Sequence, residues 1–183
     1  MNVAESWTFE HPDRFTCGSI GEPGRRTFYL QIRNASEIVT LKAEKEQVRV
    51  LGQYLAQVAE QLGPVDPDRD VVGLVEPIET LFVVGDVGVA TDVDAGEVVV
   101  VLEELPEWPL DEEFDDADDL DDVVGFADED AESTGRSVTI TVPIAQAAAF
   151  SEVAAELLQS GRPPCRLCGA PINPEGHACP RWN

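Results

Sequence analysis

Four potential metal ligands, Cys165, Cys168, His177 and Cys179, fall within the last nineteen residues of the chain. So short a terminus cannot bury a core of its own, and bound metal is the means of ordering that its composition offers. Two residues separate Cys165 from Cys168, which lets both sulfurs point at one ion across a tight turn. Gly169 can adopt the positive φ that such turns use. His177 and Cys179 are two apart, so an extended segment presents them on one side. The connector between Gly169 and Gly176 holds Pro171 and Pro174, which suits a short return loop and excludes a helix. Three thiolates and one imidazole close a tetrahedral shell and leave no position for water or substrate. The expectation is therefore a single structural Zn2+ ion. Arg162, Arg166 and Arg181, against Glu175 alone, oppose the net charge of about −1 that such a site carries.

The rest of the chain has the opposite character. Its 183 residues include 36 Asp and Glu against 12 Lys and Arg, a formal net charge of −24. Thirteen of the acids lie between Asp111 and Glu132, a stretch without Lys or Arg; without it the balance is 23 against 12, or −11. A field of this sign repels phosphate, so nucleic-acid and anionic-membrane binding are disfavoured. The acidic stretch offers no frame with the ligand positions of a calcium loop, and it reads as a solvated, mobile insertion. Three of the four cysteines sit in the tail, which suits a reducing compartment and a metal rather than a disulfide scaffold. Residues Met1 to Phe15 lack the basic and apolar regions of a signal peptide. The longest unbroken apolar run, Val98 to Leu102, is far too short to span a bilayer. A soluble, cytoplasmic protein is expected.

Hydrophobic periodicity organises residues 1–162 into one α+β domain, followed by the zinc-binding tail over 163–183. Trp7 and Phe9 alternate with polar neighbours, as do Phe15 and Cys17, and Phe28, Leu30 and Ile32 share a face of a strand over 27–33. Gly18 to Gly24 resembles a phosphate loop only superficially, because a strand and not a helix follows it. It reads as a hairpin loop. Asn34-Ala35 turns into a strand over 37–42, and Val48, Leu51, Leu55, Val58 and Leu62 mark a helix over 44–62 ended by Gly63-Pro64. Residues 64–77 form a loop, and 81–91 with 97–104 a hairpin. Val138, Ile140 and Val142 define a last strand. Pro143 opens a helix ending near Gly161, with Phe150, Val153, Ala154, Leu157 and Leu158 as its apolar stripe. Antiparallel sheet with two covering helices is the predicted architecture. A strand–strand–helix duplication is also suggested: at an offset of 99, Gln47 aligns with Gln146, Leu51 with Phe150 and Val58 with Leu157.

Catalytic patterns are missing from this reading. His11 has no nucleophile motif nearby, and Cys17 reads as a small buried apolar residue. Gly21-Glu-Pro-Gly-Arg-Arg-Thr-Phe-Tyr-Leu-Gln31, the helix start Glu44-Lys-Glu-Gln-Val48, Gly161-Arg-Pro-Pro-Cys-Arg-Leu-Cys-Gly169 and Gly176-His-Ala-Cys-Pro180 together resemble an uncharacterised bacterial family, Domain of Unknown Function 3090. That resemblance implies a zinc-ribbon-like C-terminus at Cys165, Cys168, His177 and Cys179, and no catalytic residue. The functional expectation is a non-catalytic binding or adaptor protein, whose tail orders a contact surface including Arg181 and Trp182 for a protein partner. The alternative is an enzyme with its pocket between the two halves of the α+β domain.

Overall fold

A computed structural model describes residues 5–35, 37–63, 65–67, 73–106, 135–159, 165–169, 172 and 176–182. The acidic stretch 111–132, the 162/163 boundary and most of the connector before Gly176 lie outside the described residues. The elements are β1 (Ser6–Glu10), β2 (Arg14–Ile20), β3 (Thr27–Asn34), β4 (Glu37–Ala43), α1 (Lys45–Leu62), β5 (Thr80–Asp92), β6 (Glu97–Glu104), β7 (Ser137–Pro143) and α2 (Ile144–Gln159). Alternation sets the strand faces as anticipated. Phe28, Leu30 and Ile32 are buried from β3, and Val138, Ile140 and Val142 from β7. Gly21 makes the β2–β3 loop possible: its φ is +104°, and a Cβ there would lie 2.7 Å from the Arg25 carbonyl oxygen.

The seven strands form one sheet in the order β1-β7-β6-β5-β4-β3-β2. The sheet is mixed, which corrects the antiparallel expectation. β4 pairs parallel with β5, and β1 pairs parallel with β7. The first parallel contact follows from α1, an 18-residue crossover that returns the chain in the same sense. The second joins strands more than 120 residues apart (Phe9 opposite Ile140), a pairing that no hairpin signal could announce.

The two edge strands of that order are neighbours in the chain. Only His11 to Asp13 separates β1 from β2, and three linking residues span at most about 14 Å. The pairing senses also make β1 and β2 run in one direction, so they form successive stretches of a single bent path. His11, at φ +52°, sits at the bend. The sheet must therefore curl until its edges approach. α2 shows the consequence, since it packs against β2 from one end of the order and against β6 and β7 from the other. β5 is bent likewise: it pairs with β4 through Thr80–Val83 and with β6 beyond Val84, with a register shift before Val87.

Three antiparallel strands followed by a helix thus occur twice, as β2-β3-β4-α1 and β5-β6-β7-α2. The third residue of each helix is a glutamine that reaches the bend of the other unit's long strand. Gln47 Nε2 donates to the carbonyls of Val84 (3.1 Å) and Gly85 (2.7 Å). Gln146 Nε2 donates to the Pro12 carbonyl (3.0 Å). The helices then meet closely at Gly52, where a Cβ would stand 2.7 Å from the Ala154 Cβ.

The two glutamines differ in one respect. Gln47 Oε1 accepts from the Glu44 amide at 2.8 Å, whereas the residue in that place before α2 is Pro143, which has no N–H. Gln146 Oε1 is accordingly buried without a partner among the described residues. Gln47→Met should therefore destabilise more than Gln146→Met. The first removes three hydrogen bonds and the second one, at roughly 0.5–1.5 kcal/mol each. Urea unfolding of the two variants measures the difference, and equal or inverted losses would contradict this account.

Candidate metal centre

The tail is built around a turn of Cys165 to Gly169. The Gly169 amide donates to the Cys165 carbonyl at 2.8 Å, and Gly169 has φ +77°, the conformation expected of it. The Leu167 amide points at Cys165 Sγ (3.4 Å). A second glycine, Gly176 at φ +90°, introduces His177, and the Trp182 amide donates to the Cys179 carbonyl at 3.0 Å. The three tail cysteines and His177 are half-buried.

All four residues that the sequence singles out converge. Their ligand atoms lie within 4.8 Å of one another. Cys165 Sγ is 3.9 Å from Cys179 Sγ, and Cys168 Sγ is 3.3 Å from His177 Nε2. A tetrahedral ion with bonds of about 2.3 Å to sulfur and about 2.0 Å to nitrogen spaces its ligands about 3.8 Å (S to S) and about 3.5 Å (S to N) apart. These two separations are close to that shell and the whole set lies within 4.8 Å, so the group could hold one metal ion. Backbone amides of Cys168 and Leu167 hold the Cys165 thiol below its ordinary range, favouring the thiolate a metal needs; Cys179 is pushed up, chiefly by burial.

One tie in the tail was not foreseen. Arg181 Nη1 donates to the Leu167 carbonyl at 3.1 Å, fastening the chain after the last ligand onto the turn between the first two. The only trace of it in the sequence is a base two residues beyond Cys179. Leu167 and Trp182 remain exposed beside it, Trp182 at 78%.

Elsewhere, the other residues considered for chemistry have structural surroundings. His11 Nε2 lies 2.6 Å from Glu97 Oε1, linking the β1–β2 bend to the start of β6. Cys17 is buried under α2, and burial pushes its thiol up to about 12 from the ordinary 9.0. Because the folded value lies above the unfolded one, this contribution to stability is fully present below pH 9.0 and is lost as pH rises through about 12. Cys17→Ala should flatten alkaline unfolding across that window. In wild-type protein at pH 8 after chelation, iodoacetamide should label the three tail thiols and reach Cys17 only in denaturant. Labelling of native Cys17 would refute its burial.

Among the described residues, open grooves border the helices. One, of about 360 Å3, separates α1 from α2 and is lined by Arg49, Gln53 and Ser151 among small apolar side chains. Within it Arg49 binds Glu46 and Gln53, and Ser151 Oγ donates to the Ala148 carbonyl. The second, of about 380 Å3, lies between α1 and β5, and the third, of about 430 Å3, runs from β2 to α2 past Cys17. No helix among the described residues is long and apolar enough to cross a membrane.

Fold and site together define an α+β protein on a curled mixed sheet, with a Cys3His tail able to bind one metal ion. The chain belongs to a family described as Protein of unknown function (DUF3090), whose model matches residues 7–179. No curated protein and no solved structure matches it.

Proposed function

We propose that this is a cytoplasmic, non-catalytic adaptor whose C-terminal tail binds one structural Zn2+ and presents a contact surface to a protein partner. Convergence of Cys165, Cys168, His177 and Cys179 to within 4.8 Å of one another carries the reading, because three sulfurs and an imidazole favour zinc in a closed shell. Residues 1–162 are read as the α+β domain, with 111–132 inserted as an acidic segment, and 163–183 as the zinc tail. The recurrence of strand–strand–strand–helix units with reciprocal glutamines supports a structural duplication within that domain. Beside the site, Leu167, Arg181 and Trp182 form an exposed surface of mixed apolar and basic character on an otherwise acidic chain. Aromatic and arginine side chains of this kind anchor protein interfaces.

The test has two parts. Elemental analysis of purified protein should find one zinc per chain, sharply reduced in Cys168→Ser. A full-length bait should then retain a protein that is lost with Arg181→Ala/Trp182→Ala, although that variant still holds zinc. Val93→Ser, at the exposed β5–β6 turn, should retain it. A chain without stoichiometric metal sinks the zinc assignment. A bait that recovers nothing while the protein turns over a small molecule replaces the adaptor with an enzyme.

A further inference from the structure

We propose that Cys165 and Cys179 form an oxidation site, at which hydrogen peroxide joins the two metal-bound thiolates as a disulfide and so empties the zinc centre. This rests on the zinc reading above and concerns its regulation. The two sulfurs are 3.9 Å apart, in van der Waals contact, so bonding them requires closing a gap of about 2 Å. Cys168 Sγ also lies within 4.8 Å of both sulfurs, but it is turned against His177 Nε2 at 3.3 Å. Both Cys165 and Cys179 are half-buried, within reach of a molecule as small as peroxide. The remaining cysteine, Cys17, is 1% exposed in the core and cannot compete.

The chemistry balances without any further reactant. One thiolate attacks a peroxide oxygen, the O–O bond breaks, and hydroxide departs to leave a sulfenic acid. The second thiolate attacks that sulfur, the S–S bond forms and a second hydroxide leaves. Two protons from solvent convert the hydroxides to water. The sulfurs lose two electrons and the peroxide gains them. Cys168 and His177 are then the only ligands left, half of the tetrahedral set, and too few to retain the ion. A thiol reductant with added zinc restores the starting state.

Zinc-loaded full-length protein should be titrated with hydrogen peroxide in the presence of a chromophoric zinc chelator. Release of about one zinc per chain is expected, together with loss of two thiols. Cleavage after Arg166 and after Glu175 places Cys165, Cys168 and Cys179 on three separate peptides, so mass spectrometry identifies the linkage directly. A Cys165–Cys179 linkage, reversed by reductant, supports the proposal. A Cys165–Cys168 or Cys168–Cys179 linkage, crosslinking between chains, or full zinc retention under excess peroxide overturns it. Metal content measured before oxidation separates the two claims. Zinc that is present but unresponsive defeats only the oxidation site, whereas protein lacking zinc from the outset defeats the structural assignment itself.

Discussion

Phe150→Ala should lower the stability of the α+β domain by about 3–5 kcal/mol, among the largest losses expected from any single substitution in this chain. Phe150 is fully buried and stacks on Phe15, with ring centroids 4.6 Å apart and planes inclined by 16°. The stack joins α2 to β2, the strand that must curl round to meet it. Truncation would leave a void against Phe15, and the offset pair itself adds about 0.5–1.5 kcal/mol beyond the buried area. In thermal unfolding the loss corresponds to roughly 6–20 °C for a domain of this size. Val93→Ala, in an exposed turn, should move the midpoint little. A Phe150→Ala protein that melts with the wild type would mean that α2 does not close the sheet.

The same residue shows what the sequence made legible. Phe150 belongs to the apolar stripe read from helical spacing, and Ala154 from that stripe is also buried, but Val153, Leu157 and Leu158 are only partly covered. α2 instead buries Gln146, Ala147, Ala148 and Ala149 as well. Alanines carry little weight in a hydrophobic pattern, yet their small size is what lets a helix lie close to both a sheet and another helix. α1 is simpler. Val48, Leu51, Leu55 and Val58 are all buried as their spacing demands.

Strand faces were equally plain, because a period of two depends only on local residues. Parallel pairing was not, since β1 against β7 is a contact between chain ends and leaves no local mark. The offset that aligned Gln47 with Gln146 was visible before any reason for it. The reason is long-range: each side chain satisfies carbonyls at a strand bend about 37 and 134 residues away, respectively. In the tail, ligand identity and spacing are local and were read directly. Arg181 reaching the Leu167 carbonyl depends on how the turn is closed, so its partner could not be named.

Metal removal should produce the reverse pattern to the core truncation. The hydrophobic cluster recruits β1 to β7, α1 and α2, and its last member is Leu158; no described tail residue contributes to it. On the zinc reading proposed above, folding of the tail should therefore depend on ligation, with an apparent binding free energy of order 10–16 kcal/mol for a structural zinc site near neutral pH. Dialysis against a strong chelator should abolish amide-exchange protection at Gly169 and Trp182, the two tail donors to cysteine carbonyls. The α+β domain should meanwhile melt within about 2 °C of the zinc-loaded protein, because its buried area is unchanged. Acidification should release the ion in the same way, since protons compete for the thiolates and the imidazole. Cooperative loss of the whole fold on chelation would show that the tail is part of the core after all. Protection that survives without metal would show that something other than Cys165, Cys168, His177 and Cys179 orders the tail.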